Sequence, residues 1–303
     1  MKKVMIILTT IALYGGSTSL SGAQQIFKTP EEAASALVEA ARASDMNALA
    51  TVLGPGGRQI VSSGDEVADA ETRQKFVAAY QAKHEIALEG DSKAVLIIGS
   101  DNFPLPIPLV RNSSGWQFDT AAGSAEILFR RIGKNELSAI QTSLAYVDAQ
   151  NEYAEKDRTG AGVSTYAQRI ISQAGKKDGL YWPSSQGEEE SPLGELIAQA
   201  TRQGYRVGSG RTPYNGYFFK VLTRQGAGAD GGKADYVARG RMIGGFALIS
   251  YPAEYRNSGV MTFLVNHAGT VFEKDLGPNT AKIAERIDSF NPDKTWRKVF
   301  IEK

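Results

Sequence analysis

The sequence predicts an α+β protein in which helices followed by antiparallel sheet occur twice. Three observations carry this. The apolar period changes from helical to alternating near His84, returns to helical over Arg130 to Asp157, and becomes alternating again from Tyr217. With 303 residues, 42% of them apolar, the chain has room for two domains of about 150 residues, each with its own core. The division falls at the start of the longest helical stretch, giving expected domains over 24–129 and 130–303 behind a leader at 1–23.

The leader is read from Lys2 and Lys3, a nearly unbroken apolar run from Val4 to Tyr14, and small residues ending in Ser21-Gly22-Ala23. This is the pattern of a secretory signal cleaved after Ala23. A membrane anchor needs about 20 apolar residues, nearly twice this run, and no later segment is long enough. The absence of cysteine removes disulfides, thiolate metal sites and thiol nucleophiles together. A periplasmic or secreted location is therefore expected. Lys and Arg number 34 against 33 Asp and Glu, and loss of Lys2 and Lys3 leaves 32 against 33, a net charge of −1. That balance gives no footprint for nucleic acid.

In the first domain, Thr29-Pro30-Glu31-Glu32 starts a helix, with Thr29 as N-cap, Pro30 at the first position and Glu32 completing a capping box. Asp45 caps a second helix that Gly54-Pro55-Gly56-Gly57 ends, and Glu71 to Lys83 supplies a third with Phe76, Val77 and Tyr80 as its stripe. Strands are expected at Ile86 to Leu88, Ala94 to Ile98, Leu105 to Val110 and Trp116 to Phe118. Pro104, Pro106 and Pro108 alternate with Leu105, Ile107 and Leu109, which reads as an edge strand stripped of donors along one side.

The second domain opens on a helix whose stripe is Leu137, Ile140, Leu144 and Val147, widened by Tyr146 and Tyr153, with Asn135 placed to cap it. A short helix over Tyr166 to Ile171 and another from Ser191 follow. Strands are expected at Tyr217 to Leu222, Gly245 to Tyr251, Val260 to Val265 and Thr270 to Glu273. A last helix over Pro278 to Ile287 and a strand-like Trp296 to Ile301 close the chain.

Chemistry-bearing motifs are sparse. Gly226-Ala227-Gly228-Ala229-Asp230-Gly231-Gly232 matches a dinucleotide fingerprint only formally, because the helix that would receive a pyrophosphate does not follow; it reads as a hairpin loop. Two distant histidines and no spaced carboxylate set yield no predicted metal site, catalytic residue or cofactor, with an oxygen-only calcium site left open. Tyr181, Trp182, Tyr214 and Tyr217 could form a carbohydrate or peptide platform, or could simply pack. Arg130, Arg131, Asn135 and Glu136 read equally as an interdomain latch or as plain surface.

Three helices before a curved meander closing on Gly115-Trp116-Gln117-Phe118 resemble, in layout, the cone fold typified by nuclear transport factor 2. That resemblance implies a cone mouth able to hold a small ligand. Asn135-Glu136, Asp148-Ala149-Gln150, Tyr153, Gly216 to Phe219, Tyr251-Pro252, Ser258-Gly259 and Thr262 to Asn266 resemble the globular head of type IV pilins and pseudopilins. That resemblance implies a long helix packed on an antiparallel sheet, here without the apolar helical half that builds a fibre. Across the mature chain, Leu105-Pro106-Ile107-Pro108-Leu109, Trp116 to Thr120, Arg130 to Leu137, Asp178 to Pro183 and Gly245 to Leu248 resemble the bacterial secreted family called domain of unknown function 2950. The expected function is a non-enzymatic binding or assembly module of the cell envelope, with an envelope protein or a small ligand as partner. The alternative is a small-ligand carrier or enzyme working from the N-terminal cone. A polar-lined pocket there would favour the alternative.

Overall fold

The structure is a computed structural model and describes residues 24–158, 160, 162–206 and 212–300. The expected signal segment, residues 1–23, lies outside them. In chain order, α1 (Pro30–Arg42), α2 (Met46–Leu53), the short α3 (Gly57–Val61) and α4 (Glu66–Ala82) lead into β1 (His84–Glu89), β2 (Lys93–Ile98), β3 (Phe103–Pro104), β4 (Leu109–Asn112) and β5 (Gly115–Phe118). After the long α5 (Thr120–Ala154) come α6 (Gly194–Arg202), β6 (Tyr217–Leu222), β7 (Arg224–Gln225), β8 (Ala234–Asp235), β9 (Val237–Ala238) and β10 (Arg241–Met242). The chain ends with β11 (Ala247–Pro252), β12 (Met261–Asn266), β13 (Val271–Asp275), α7 (Thr280–Arg286) and β14 (Arg297–Lys298). This is an α+β fold.

Two antiparallel sheets carry the cores. The first runs β1-β2-β4-β5 with β3 also on β2, and the second runs β14-β13-β12-β11-β6. Leu37, Leu49, Val52, Leu53, Ile107, Leu109, Trp116 and Phe118 fill the space between α1, α2 and the first sheet. In the second sheet β11 is buried at all six positions, because α5 and α7 both pack against it. Ser250 of β11 approaches Ser143 of α5, while Lys220, the partner of its neighbour Ile249 in the ladder, donates to the carbonyls of Ala284 and Glu285 in α7.

The helix α5 differs from its sequence reading. It begins fifteen residues before Asn135, at Thr120, and Asp119 is the cap, accepting from the Ala122 N–H. Asn135 is buried mid-helix and donates from Nδ2 to the Ser258 carbonyl at 2.9 Å. Of the aliphatic stripe, Val147 is buried and Ile140 and Leu144 pack against the core, but Leu137 is 56% exposed. Asn135, Ala139, Ser143, Tyr146, Gln150 and Tyr153 make up the rest of the inward face. Small residues let the helix axis come close to the sheet, and each polar member is satisfied. The Gln150 amide, for example, accepts from Ala167 N–H and donates to both Ala167 O and Tyr146 Oη.

Three further expectations are corrected. The proline-alternating segment is not one continuous edge strand: β3, which ends at Pro104, has only β2 as a partner, whereas β4 lies between β2 and β5. The ladder is interrupted over 105–108 instead, which is where missing N–H groups do least harm. The chain there folds over the start of α5 so closely that a Cβ on Gly123 would sit 2.4 Å from the Pro106 carbonyl oxygen. Residues 166–171 are extended, bridging Met242 and Tyr181. Finally α4 starts at Glu66, with Asp65 as its cap.

Candidate functional site

The helix α4 has seventeen residues and none of them is fully buried. The face that would be buried, Asp69, Thr72, Arg73 and Phe76, looks into a cavity of about 360 Å³ bounded on the other side by α5. Leu37, Leu49, Leu53, Leu105, Ile107 and Ile127 make its floor and walls. Arg130, Arg131, Lys134 and Asn135 extend the lining along α5, and Asn215 reaches it from the C-terminal half. Such an apolar recess with a few polar groups, at the small end of the size range of ligand sites, is the ordinary form of a small-molecule pocket.

Its polar groups fall into two sets. The first is committed to holding the walls. Asp69 accepts from the Ser63 N–H at 2.8 Å and the Ser63 hydroxyl at 2.7 Å, and burial still pushes its carboxyl above the ordinary value, against the nearby Arg131 charge. Arg131 donates to the carbonyls of Gln59 and Ile60 at the end of α3 and to Asn257 Oδ1 at 2.6 Å. Burial draws its guanidinium below the usual arginine value, with Asp69 and Glu254 acting the other way. Asn257 in turn donates to the Ser62 carbonyl and to Glu254.

Beside this joint, buried Asp65 accepts from Tyr205 Oη at 2.9 Å and from the Gly216 N–H at 2.8 Å. Burial, and then the Asp65 charge, hold the Tyr205 phenol far above its ordinary value. Gly216 has φ +77°, and a Cβ there would lie 2.5 Å from Asn135 Nδ2, so close approach at this seam requires glycine. Glu136 Oε1 accepts from the N–H groups of Val260 and Met261.

The second set is uncommitted. Arg73 is half-buried, and its Nε is buried without a hydrogen-bond partner. Lys134 stands exposed at the rim and makes no ion pair or hydrogen bond within the described residues. Arg130 points outward to Glu126 and over the Phe103 ring.

Of the expected latch, only Arg131 bonds to residues of both halves; Asn135 and Glu136 bond within 130–303, to Ser258 and to Val260 and Met261, and Arg130 pairs outward with Glu126. The four aromatic candidates do not converge. Trp182 and Tyr217 are core residues, 5% and 0% exposed. The Trp182 indole donates to the Glu189 carbonyl and the Tyr217 hydroxyl to Met261 O, so their polar ends are satisfied inside. Tyr181 is half-buried in the bridge to Ile171, and Tyr214 packs edge-on against Tyr205 at 5.0 Å. Asp69, Arg73 and Lys134 were not singled out from sequence. The available signal was the recurrence of polar residues beside Phe76 at helical spacing on one face of α4.

Residues 24–299 match the family model described as "Protein of unknown function (DUF2950)". No curated protein and no solved structure matches the chain, so the pilin and nuclear-transport-factor resemblances are not confirmed.

Proposed function

The chain belongs to the DUF2950 family, whose description carries no activity, and from that premise we propose that it is an exported envelope protein that binds a small ligand in the cavity between α4 and α5. The carrying observation is the cavity itself: about 360 Å³, apolar in its depth, with the unpartnered Nε of Arg73 in its wall. In this reading the signal segment is removed after Ala23 and the protein works in the periplasm or outside the cell. Two domains meet along α5, and the joint of Arg131, Asn257, Asp65 and Tyr205 sets the shape of the pocket's rear wall.

Native mass spectrometry of the protein purified from its own envelope fraction tests this. The mature chain should begin at Gln24 and carry a small molecule that Ile127→Trp, which fills the cavity, releases. A bare protein that also fails to take up any apolar probe would overturn the reading.

An assembly role has one observation of its own. Phe129 and Leu137, two turns apart on α5 with only Gly133 between them on that side, are 79% and 56% exposed. A concentration-dependent oligomer abolished by Phe129→Ser would favour it.

A further inference from the structure

We infer that the ligand of this cavity is a single-chain anionic amphiphile, its acid group held by Arg73 and Lys134 and its chain laid over Leu37, Leu49, Phe76 and Ile127. The inference rests on the carrier reading above and adds the chemical class. It follows from which charges remain available. The lining holds four cations and one carboxylate. Both oxygens of that carboxylate, Asp69, already accept from Ser63, so a cationic head group would find little to engage. Both terminal nitrogens of Arg131 are held by two carbonyls and Asn257, and Arg130 is paired outward with Glu126. Arg73 and Lys134 are left.

Arg73 lines the cavity and makes no ion pair or hydrogen bond among the described residues, so its guanidinium is available to an incoming acid group. Glu71, the acid that lies near Lys134, is paired with Lys75, so it does not neutralise the rim. The apolar depth sets the other half of the class. A small hydrophilic anion would leave the aliphatic floor wet, whereas an alkyl chain covers it. The volume suits one chain and not the paired chains of a diacyl lipid.

The test is isothermal titration calorimetry of the purified protein with decanoate, decyl phosphate, decanol, decyltrimethylammonium and acetate. Decanoate or decyl phosphate should bind at least about tenfold tighter than decanol, the usual weight of a charged hydrogen bond. Whichever acid binds tighter identifies the head group as carboxylate or phosphate. Decyltrimethylammonium and acetate should show no binding. Arg73→Gln and Lys134→Gln should each weaken the acids about tenfold and leave decanol unchanged; both side chains lack structural partners, so the variants should fold.

If decanol or the cation binds as tightly as the acids, or if the double variant binds them normally, the inference fails while the carrier reading stands. The same holds if no decyl compound binds yet envelope-purified protein carries a small molecule. Absence of any ligand in both experiments removes the carrier reading with it.

Discussion

Both β2 and β11 are interior strands of antiparallel sheets, yet they are packed differently. All six residues of β11 are buried between α5 and α7. In β2 buried and half-buried positions alternate from Ala94 onward, and α4, which packs on it through Phe76, Ala79 and Tyr80, also turns one face to a cavity. The same contrast divides α5 along its length. Eight of its ten buried residues lie from Asn135 onward against the second sheet, while earlier only Thr120 and Gly123 are buried. The filled half fixes the direction of the helix, and the projecting half of that helix becomes one wall of an open site. A cavity of this size reduces the packing available to its own half, so the rigidity of its walls must come from outside. The joint of Arg131, Asn257, Asp65 and Tyr205 supplies that from the C-terminal half.

The largest test of the contrast is a matched pair of truncations. Phe263→Ala removes a ring 1% exposed in the centre of the second sheet and should cost about 3 to 5 kcal/mol in urea unfolding. Phe76→Ala removes the same atoms from a half-buried ring that already faces open volume, and should cost only roughly 1 to 2 kcal/mol. Equal losses would mean that the cavity is collapsed in solution.

Next in size is the joint. Arg131→Ala leaves the carbonyls of Gln59 and Ile60 and the Asn257 side chain without their donor, at a cost of about 2 to 4 kcal/mol. Lys cannot replace the planar fork that reaches three acceptors, so Arg131→Lys should rescue little. Arg130→Ala loses only an exposed pair with Glu126 and should change stability by less than about 0.5 kcal/mol. Unfolding midpoints of the three variants decide the matter. An Arg130 effect as large as that of Arg131 would dissolve the distinction between joint and surface.

How much of this was legible follows from which forces are local. The strands β6, β11, β12 and β13 were readable to within about two residues, because alternation and glycine turns are written into adjacent positions. Arg131 and Asn135 stood out as polar residues at the head of an apolar stripe. The start of α5 was placed at Asn135 because the regular apolar stripe begins at Leu137, and the fifteen helical residues before Asn135, Gly123 among them, carry no such stripe. The glycine is there because the Pro106 carbonyl needs the room, which is a tertiary fact. Leu137 was assigned to the core on its hydrophobicity, while the sheet selected the face of Ala139 and Ser143 for their small size. The pocket was the least visible feature, since it is defined by what α4 and α5 fail to fill. In sequence Arg73 is one more charge on a surface helix. The cone resemblance did raise the possibility of a ligand, but it could not place one.

Smaller than the core and joint effects, and the one that separates the halves by sign, is the response to acid. Glu189 lies at the far end of α5, where its Oε1 meets Lys156 at 3.0 Å and Arg158 at 3.1 Å and its Oε2 meets Lys177 at 2.9 Å. Hydrogen bonds from Lys177 and then Lys156 hold its carboxyl down to about 2 from an ordinary 4.5. Between those values the unfolded chain binds more protons than the folded one. The contribution is therefore complete above about pH 4.5 and is lost as pH falls towards about 2. Because Lys156 and Lys177 are largely exposed, the network is worth only about 1 kcal/mol.

In the pocket Asp69 has the opposite sense. Burial raises its folded value above 3.8, so the folded state takes up its proton first, and stability from this group increases as pH falls through that value. Glu189→Gln should accordingly lose about 1 kcal/mol at neutral pH and flatten the acid limb, measured as urea midpoints across a pH series. Asp69→Asn should leave that limb at least as steep as in the parent. If Glu189→Gln keeps the parent's full acid dependence, acid sensitivity does not reside in the filled half, and the electrostatic part of the contrast is wrong.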